Sequence, residues 1–428
     1  MKKLLVANRG EIAVRIARTA AELGRGTVAV HSEDDAASPH TAGADEVAVL
    51  SGRGAGAYLD VGQIVEIARR CQCDAVHPGY GFLSENPEFA AAVEEAGLTF
   101  VGPTPETLGL LGDKTRARAI ARECGIPLIA GSDGAVSVDE ARAFLASCPD
   151  GAAMVIKAVA GGGGRGMRVV TDAADVEQAY RRCRSEARGA FGNPEVYVEE
   201  YLANARHIEV QIVADGSGAV SHVWERECSV QRRHQKLVEV APSPGLAPEI
   251  RDALTGAAVR LGEISGYRGA GTVEFMVSGE RFAFIEANAR LQVEHTVTEE
   301  ITGIDIVRAQ LQVAAGKRLY EIGLGQADIP SPRGFAIQAR INMETMQRDG
   351  SARPGGGTLS LFEVPSGPGL RTDTYGCQGY TTNPAFDSLL AKLIVHSPLD
   401  DYDAAVRKAS RALRETRIEG VPTNLDFL

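Results

Sequence analysis

The sequence predicts an α/β protein of more than one domain, and three observations point there. Strand-like and helix-like runs alternate through roughly the first hundred residues, the pattern of a parallel sheet. Strand-like runs then dominate residues 195–288. At 428 residues the chain is long for one hydrophobic core, so two to three domains are expected. A composition of 44% hydrophobic and 24% charged residues is that of an ordinary soluble globular protein. The net charge of −11 argues against broad binding to nucleic acid or an anionic membrane, so any anion site has to be a local basic pocket. Seven cysteines, with no C-x-x-C pair, indicate neither a disulfide framework nor a zinc site and point to a reducing cytoplasm. Asn8-Arg9 breaks the first apolar run too early for a signal peptide, and no stretch is apolar for long enough to span a membrane.

Taken in order, Lys3–Ala7 reads as a buried strand and Asn8-Arg9-Gly10 as a turn. Glu11–Leu23 places Ile12, Ile16, Ala20 and Leu23 on one helical stripe, and Thr27–His31 closes a β-α-β unit. Glu33, Asp34 and Asp35 follow at the distance of an NAD-ribose acid, but the first turn has one glycine where G-x-G-x-x-G is needed. In HPGYGFLSENPEF (77–89), Tyr80 sits between glycines, in a pocket-lining loop or a plain turn. Asp113 caps a helix running from Lys114 to about Cys124.

A small unit over about 130–201 opens on a capping box, Ser137…Glu140, followed by the strand MVIKA. AGGGGRGMRVV comes next. Because MRVV reads as a strand, this is a hairpin with a glycine tip, either a flexible turn or a loop whose N–H groups, with Gly162, Gly163 and Gly164, fold over phosphates. Lys157, on the entering strand, favours phosphate. Strands follow at 195–202, 207–215 and 219–227. Arg232, Arg233, His234 and Lys236 then form the one dense basic cluster, a solvated charge run or an anion site before the helix 248–264.

FIEANARLQVEH (284–295), read as extended, places Glu286, Asn288, Arg290, Gln292 and Glu294 on one face. GTVEFMV and RFAFIEAN form a hairpin, and a three-residue loop at 278–280 would bring Glu274 to the same face as Glu286. Two carboxylates and an amide oxygen are hard ligands for Mg²⁺ or Mn²⁺ carrying nucleotide phosphates; a solvated strand edge is the alternative. Phe282 and Phe284 share the parity of Glu286, which suggests a cleft. Residues 323–333 read as a connector. Beyond it, Arg340 lies in an apolar strand, covering an edge or reaching into a cleft.

Together VANRGEIAVRI, HPGYGFLSEN, GGGGRGM, ERECSVQRRHQK, GYRGAGTVEF, IEANARLQVEH and FDSLLAKLI resemble the biotin carboxylase family over essentially the whole chain. The resemblance implies a Rossmann-like domain (1–112), an ATP-grasp domain (113–320) with a mobile glycine-rich lid at about 130–201, and an α+β C-terminal domain (330–428). It implies ATP-dependent carboxylation of biotin by bicarbonate through carboxyphosphate. Carried over by motif, Lys114 and Lys157 hold ATP phosphates, and Glu199 and Leu202 the adenine end. His207, Gln231 and His234 contact nucleotide, while Glu274, Glu286 and Asn288 coordinate two Mg²⁺ or Mn²⁺ ions. Lys236, Arg290, Gln292 and Val293 position bicarbonate, Glu294 takes its proton, Arg340 stabilises the biotin ureido oxygen, and Tyr80 lines the biotin pocket. A biotin carboxyl carrier, a carboxyltransferase and a homodimer partner are implied too. GYTTNPAFDSLLAKLI looks most like acyl-CoA carboxylases, and so like fatty acid metabolism.

Departures from the family pattern are Ala287, Ala289 and Thr296, the last where proline is common, and a stop at TNLDFL, where members usually continue. No Met-Lys-Met biotinylation signal and no carboxyltransferase region is seen. Two other readings share many of these residues: another ATP-grasp ligase, and a truncated ATP-binding domain without turnover.

Overall fold

The computed structural model describes residues 1–132, 134–148, 153–159, 167–348 and 350–428. The expected β-α-β start is present, within a five-stranded parallel sheet. Its order is Glu46–Leu50, Gly26–Ser32, Lys3–Val6, Ala75–His77, Thr99–Phe100. The edge strand Glu46–Leu50, with alternate exposed valines, was not legible as a strand between two loops.

The second layer is an eight-stranded antiparallel sheet. In spatial order its strands are Arg281–Asn288, Arg268–Ser278, Arg206–Asp215, Val220–Arg232, Gln235–Ala241, Phe335–Asn342, Leu389–Ser397 and Leu370–Thr374. One core joins the two sheets: Leu5, Val28 and Phe100 of the first pack in the same cluster as Ile208, Phe275 and Phe284 of the second. Each of those phenylalanines is fully buried, so truncating one to alanine would cost about 3–5 kcal/mol.

The small unit has a core of its own. The antiparallel strands Met167–Val170, Ala153–Ala158 and Val196–Tyr201 close over Ala141, Met154, Ile156, Tyr180 and Val198, away from the main cluster. Its first helix, Val138–Ser147, carries the expected capping box between Ser137 and Glu140. The glycine tip with Gly162, Gly163 and Gly164 lies outside the described residues. Among the described residues, no helix is long and apolar enough to cross a membrane.

Candidate active site

The basic cluster occupies a hairpin between the strand Val220–Arg232 and the helix Pro248–Ile264. Val220–Arg232 turns into Gln235–Ala241, with Arg232 paired to Gln235. Arg233 (φ +47°) and His234 (φ +66°) both take the left-handed conformation that a two-residue turn of this twist demands. The second strand, Gln235–Ala241, carries Lys236 to the cavity, and the register shift between the pairs Val230–Val238 and Gln231–Lys236 that sets its face has no local marker in the sequence.

The Glu274 hairpin also differs from the expectation. Ser278 pairs with Arg281, so the turn has two residues, Gly279 and Glu280. A bulge supplies the missing residue instead. Phe284 pairs with Phe275 and Glu286 with Glu274, leaving Ile285 unopposed. Phe284 and Glu286, two apart, therefore face opposite sides. Phe275, Phe282 and Phe284 stack edge to face in the core, so the aromatics do not share the carboxylate face.

Across four adjacent strands the register aligns Glu286, Glu274, Glu209 and Arg226 in one row. Strand character ends at Asn288, earlier than expected, and 289–294 is an irregular segment entering the helix His295–Thr302. It keeps the alternation nonetheless: Ala289 and Leu291 enter the cores, while Arg290, Gln292 and Glu294 turn to the row of charges.

A cavity of about 1430 Å³ lies over this row. All the described residues anticipated from the sequence line it: Tyr80, Lys114, Lys157, Glu199, Leu202, His207, Gln231, His234, Lys236, Glu274, Glu286, Asn288, Arg290, Gln292, Val293, Glu294 and Arg340. The Lys236 ammonium donates to Glu209 Oε2 (2.6 Å), Glu274 Oε1 (2.9 Å) and Glu294 Oε1 (2.8 Å). Arg340 Nη2 donates to Glu294 Oε2 at 3.0 Å, and its Nε to Glu239 Oε1 at 2.5 Å. Burial pushes the Glu294 carboxyl up, but the charges of Lys236, Arg340 and Arg226 prevail and hold it well below the usual carboxylate range. Below the row, the fully buried Arg226 donates to Glu209, Gln211 (2.7 Å), Thr298 (3.0 Å), Thr272 (3.1 Å) and Gln292 (3.1 Å). A buried charge is tolerable only when bonded this fully.

Glu274 is held below its ordinary value despite burial, by Lys236 and His207, while Glu286 is pushed up by burial and by Glu274. Two opposed carboxylates of this kind fit a hard divalent cation, which would relieve their repulsion. Asn288 differs from the expected ligand geometry. Its amide nitrogen donates to Glu274 Oε1 (2.9 Å), and its oxygen accepts from Arg290 Nη2 (3.0 Å). Arg290 is anchored in turn by Glu85 at 2.9 Å, a residue of the Tyr80 loop that local sequence did not single out.

At the cavity's other end, Glu199 accepts from Lys157 and from Arg118 Nη1 (2.9 Å). Gln231 Nε2 lies 3.1 Å from His207 Nδ1. The Tyr80 hydroxyl donates to buried Glu11, which pairs with Lys392 at 3.0 Å; Lys392 also donates to the Val293 carbonyl at 3.1 Å.

Comparison with known proteins gives three contiguous family matches. Residues 1–108 match the biotin carboxylase N-terminal domain, 113–322 the carbamoyl-phosphate synthase L chain ATP-binding domain, and 338–428 the biotin carboxylase C-terminal domain. Pyruvate carboxylase of Aspergillus niger is 49% identical over 434 residues, covering 100% of this chain and 36% of that protein. The chain thus spans about a third of the length of the curated relatives it matches. The biotin carboxylase domain dimer of Hydrogenobacter thermophilus 2-oxoglutarate carboxylase, solved with MgADP, ADP and bicarbonate, superposes with a TM-score of 0.92. It is 42% identical, over 99% of this chain and 92% of that one. A single-chain, multi-domain long-chain acyl-CoA carboxylase gives a TM-score of 0.87 at 46% identity, over 100% of this chain and 40% of that one.

Proposed function

The chain belongs to the biotin carboxylase family, and from that premise we propose that it carboxylates carrier-bound biotin with bicarbonate and ATP. The observation that carries the proposal is Glu294, an ionised, buried carboxylate bonded on one oxygen to Lys236 and on the other to Arg340. One carboxylate thereby stands between two cations, each suited to a different anion. Bicarbonate is a poor nucleophile, so its attack on the γ-phosphoryl of ATP needs a positioned base. Glu294 accepts the proton while Lys236, Arg290, Gln292 and Val293 orient the anion. The products of that step are ADP and carboxyphosphate.

Lys114 and Lys157 hold ATP phosphates, Glu199 and Leu202 the adenine end, and His207, Gln231 and His234 complete the nucleotide contacts. In this reading Gly162, Gly163 and Gly164, which lie outside the described residues, contribute to phosphate binding. Glu274 and Glu286 would hold Mg²⁺ or Mn²⁺, with Asn288 as a ligand only if its oxygen left Arg290, and the ion would supply charge neutralisation at the transferring phosphoryl group. Carboxyphosphate then releases CO₂ and phosphate, the phosphate takes the biotin N1′ proton, and the biotin enolate captures CO₂. Arg340 places a permanent positive charge where the ureido oxygen becomes an oxyanion, beside Tyr80.

The match to the carbamoyl-phosphate synthase ATP-binding domain fits other ligases of that architecture, but biotin carboxylase domains flank it on both sides. The acyl-CoA acceptor expected from GYTTNPAFDSLLAKLI is replaced by pyruvate in this proposal, because the curated relatives at 48–49% identity are pyruvate carboxylases. Biotin carrier and carboxyltransferase belong to other domains of a longer chain or to separate subunits. A homodimer is proposed from the dimeric Hydrogenobacter relative. A cytoplasmic setting is proposed from the seven cysteines, all free thiols.

The test is ADP release with MgATP and bicarbonate, with and without free biotin. Biotin should stimulate turnover. Glu294→Gln should lower it about 100-fold or more, and Arg340→Ala should remove the biotin stimulation. Nucleotide binding without bicarbonate-dependent turnover would leave only a binding domain.

A further inference from the structure

We propose that Thr296 and Gln338 are positioning residues, holding Arg340 in register with Glu294 through a closed ring of buried hydrogen bonds. The proposal rests on the biotin carboxylation reading. Arg340 bridges two carboxylates: Nη2 donates to Glu294 at 3.0 Å and Nε to Glu239 Oε1 at 2.5 Å. The other Glu239 oxygen accepts from Gln338 Nε2 at 2.8 Å, and Gln338 Oε1 accepts from the Thr296 hydroxyl. Thr296 lies two residues after Glu294, in the first turn of His295–Thr302, so the backbone closes the ring. Glu239 and Gln338 are register partners on adjacent strands. The base and the guanidinium are therefore tied together twice, once directly and once through three side chains, those of Thr296, Gln338 and Glu239.

The ring has a direction. An amide has a donor end and an acceptor end, and the Glu239 oxygen that faces Gln338 accepts. Gln338 must therefore turn its NH₂ toward Glu239, and the donor that fixes this orientation is the Thr296 hydroxyl. Thr296, Gln338 and Glu239 are fully buried, so water does not replace a lost bond. Without the hydroxyl the amide is free to rotate, its oxygen opposes the carboxylate, and Glu239 leaves the orientation that aims its Oε1 at Arg340. The rigid guanidinium fork converts that rotation into a displacement of Nη2 at Glu294. Neither Thr296 nor Gln338 lines the cavity, so both act only through Arg340.

The experiment compares Thr296→Val, which keeps the shape and removes the donor, Thr296→Ser, which keeps the donor, and Gln338→Leu. Two readouts are taken on the chain: biotin-stimulated ADP release, and the solvent-exchange rate of the Arg340 Nε–H followed by NMR. Thr296→Val and Gln338→Leu should lower the biotin-stimulated kcat about tenfold or more, since small misplacements near reacting atoms cost factors up to about 100. The KM for MgATP should stay within about twofold, because the ring touches no nucleotide-binding residue. Exchange of the Nε–H should rise about tenfold or more in both variants, in step with the lost bond. Thr296→Ser should restore both readouts.

Wild-type rates in Thr296→Val, or a serine variant as impaired as the valine one, would overturn the proposal. If wild type shows no biotin stimulation, the carboxylation reading fails separately, and the Nε–H exchange rate still decides whether the ring positions Arg340.

Discussion

Glu274 and Glu286 face each other across an antiparallel ladder because Ile285 bulges out of it. In a regular two-residue hairpin Glu274 would oppose Ile285, and Glu286 would point into the core that Phe284 now fills. One extra residue thus assigns the aromatic payload to one face and the charge to the other. The opposed carboxylates repel, and this is visible in Glu286, whose pKa is raised first by burial and then by the Glu274 charge.

Glu286→Gln should therefore separate stability from metal dependence. Like charges directly opposite on a sheet are destabilising by up to about 1 kcal/mol, so the metal-free variant should be more stable than wild type by about that amount in urea unfolding. The same change should raise the Mg²⁺ concentration needed for half-maximal nucleotide turnover by about tenfold or more. A variant that is less stable without metal would contradict the repulsion argument.

Lys392 offers a second prediction. It is fully buried, 3.0 Å from Glu11 and 3.7 Å from Asp373, and it donates to the Val293 carbonyl. Lys392→Met fills similar volume but leaves buried Glu11 without its cation, whereas Asp373 keeps Arg371 at 2.8 Å. Breaking a buried ion pair on one side costs about 3–5 kcal/mol, and denaturant unfolding should show a loss of that size. Glu11→Gln in the same background should recover part of it, because the neutral amide needs no counter-charge.

How far the site could be read from the sequence follows from what each residue depends on. Glu274, Glu286 and Lys236 belong to short runs with a local signal, and the described members of those runs converge on one cavity. Glu209, Glu239 and Arg226 were not singled out, since a buried charge in a strand looks like any polar alternation until its register partner is known. The bulge at Ile285 has no local marker: no glycine or proline stands there, and the register shift comes from packing Phe284 against Phe275. The parallel sheet was legible because helix and strand periods alternate cleanly. The edge strand Glu46–Leu50 was not, because its core face holds only Ala48 and Leu50.

Buried histidines set the acid limit of stability. His40 donates from one ring nitrogen to the Val30 carbonyl (3.0 Å) and accepts at the other from Ser38 (2.8 Å), a neutral tautomer. Burial, then the nearby Arg9 charge, lowers its pKa to about 4. His77 is lowered to about 3, again by burial first, and His295 is also held low by burial and by Lys392. Each is depressed in the folded state, so the unfolded chain binds the extra proton as the pH falls below about 6.5. Stability contributed by neutral His40 is therefore complete above that pH, is lost progressively toward pH 4, and levels off below it. A shift of this size corresponds to roughly 3 kcal/mol for His40. Urea unfolding from pH 7.5 to 4.5 should show stability falling with pH, and His40→Gln, which keeps a donor and an acceptor without titrating, should reduce the slope by about one proton. An unchanged slope in that variant would mean that His40 does not carry the acid sensitivity assigned to it.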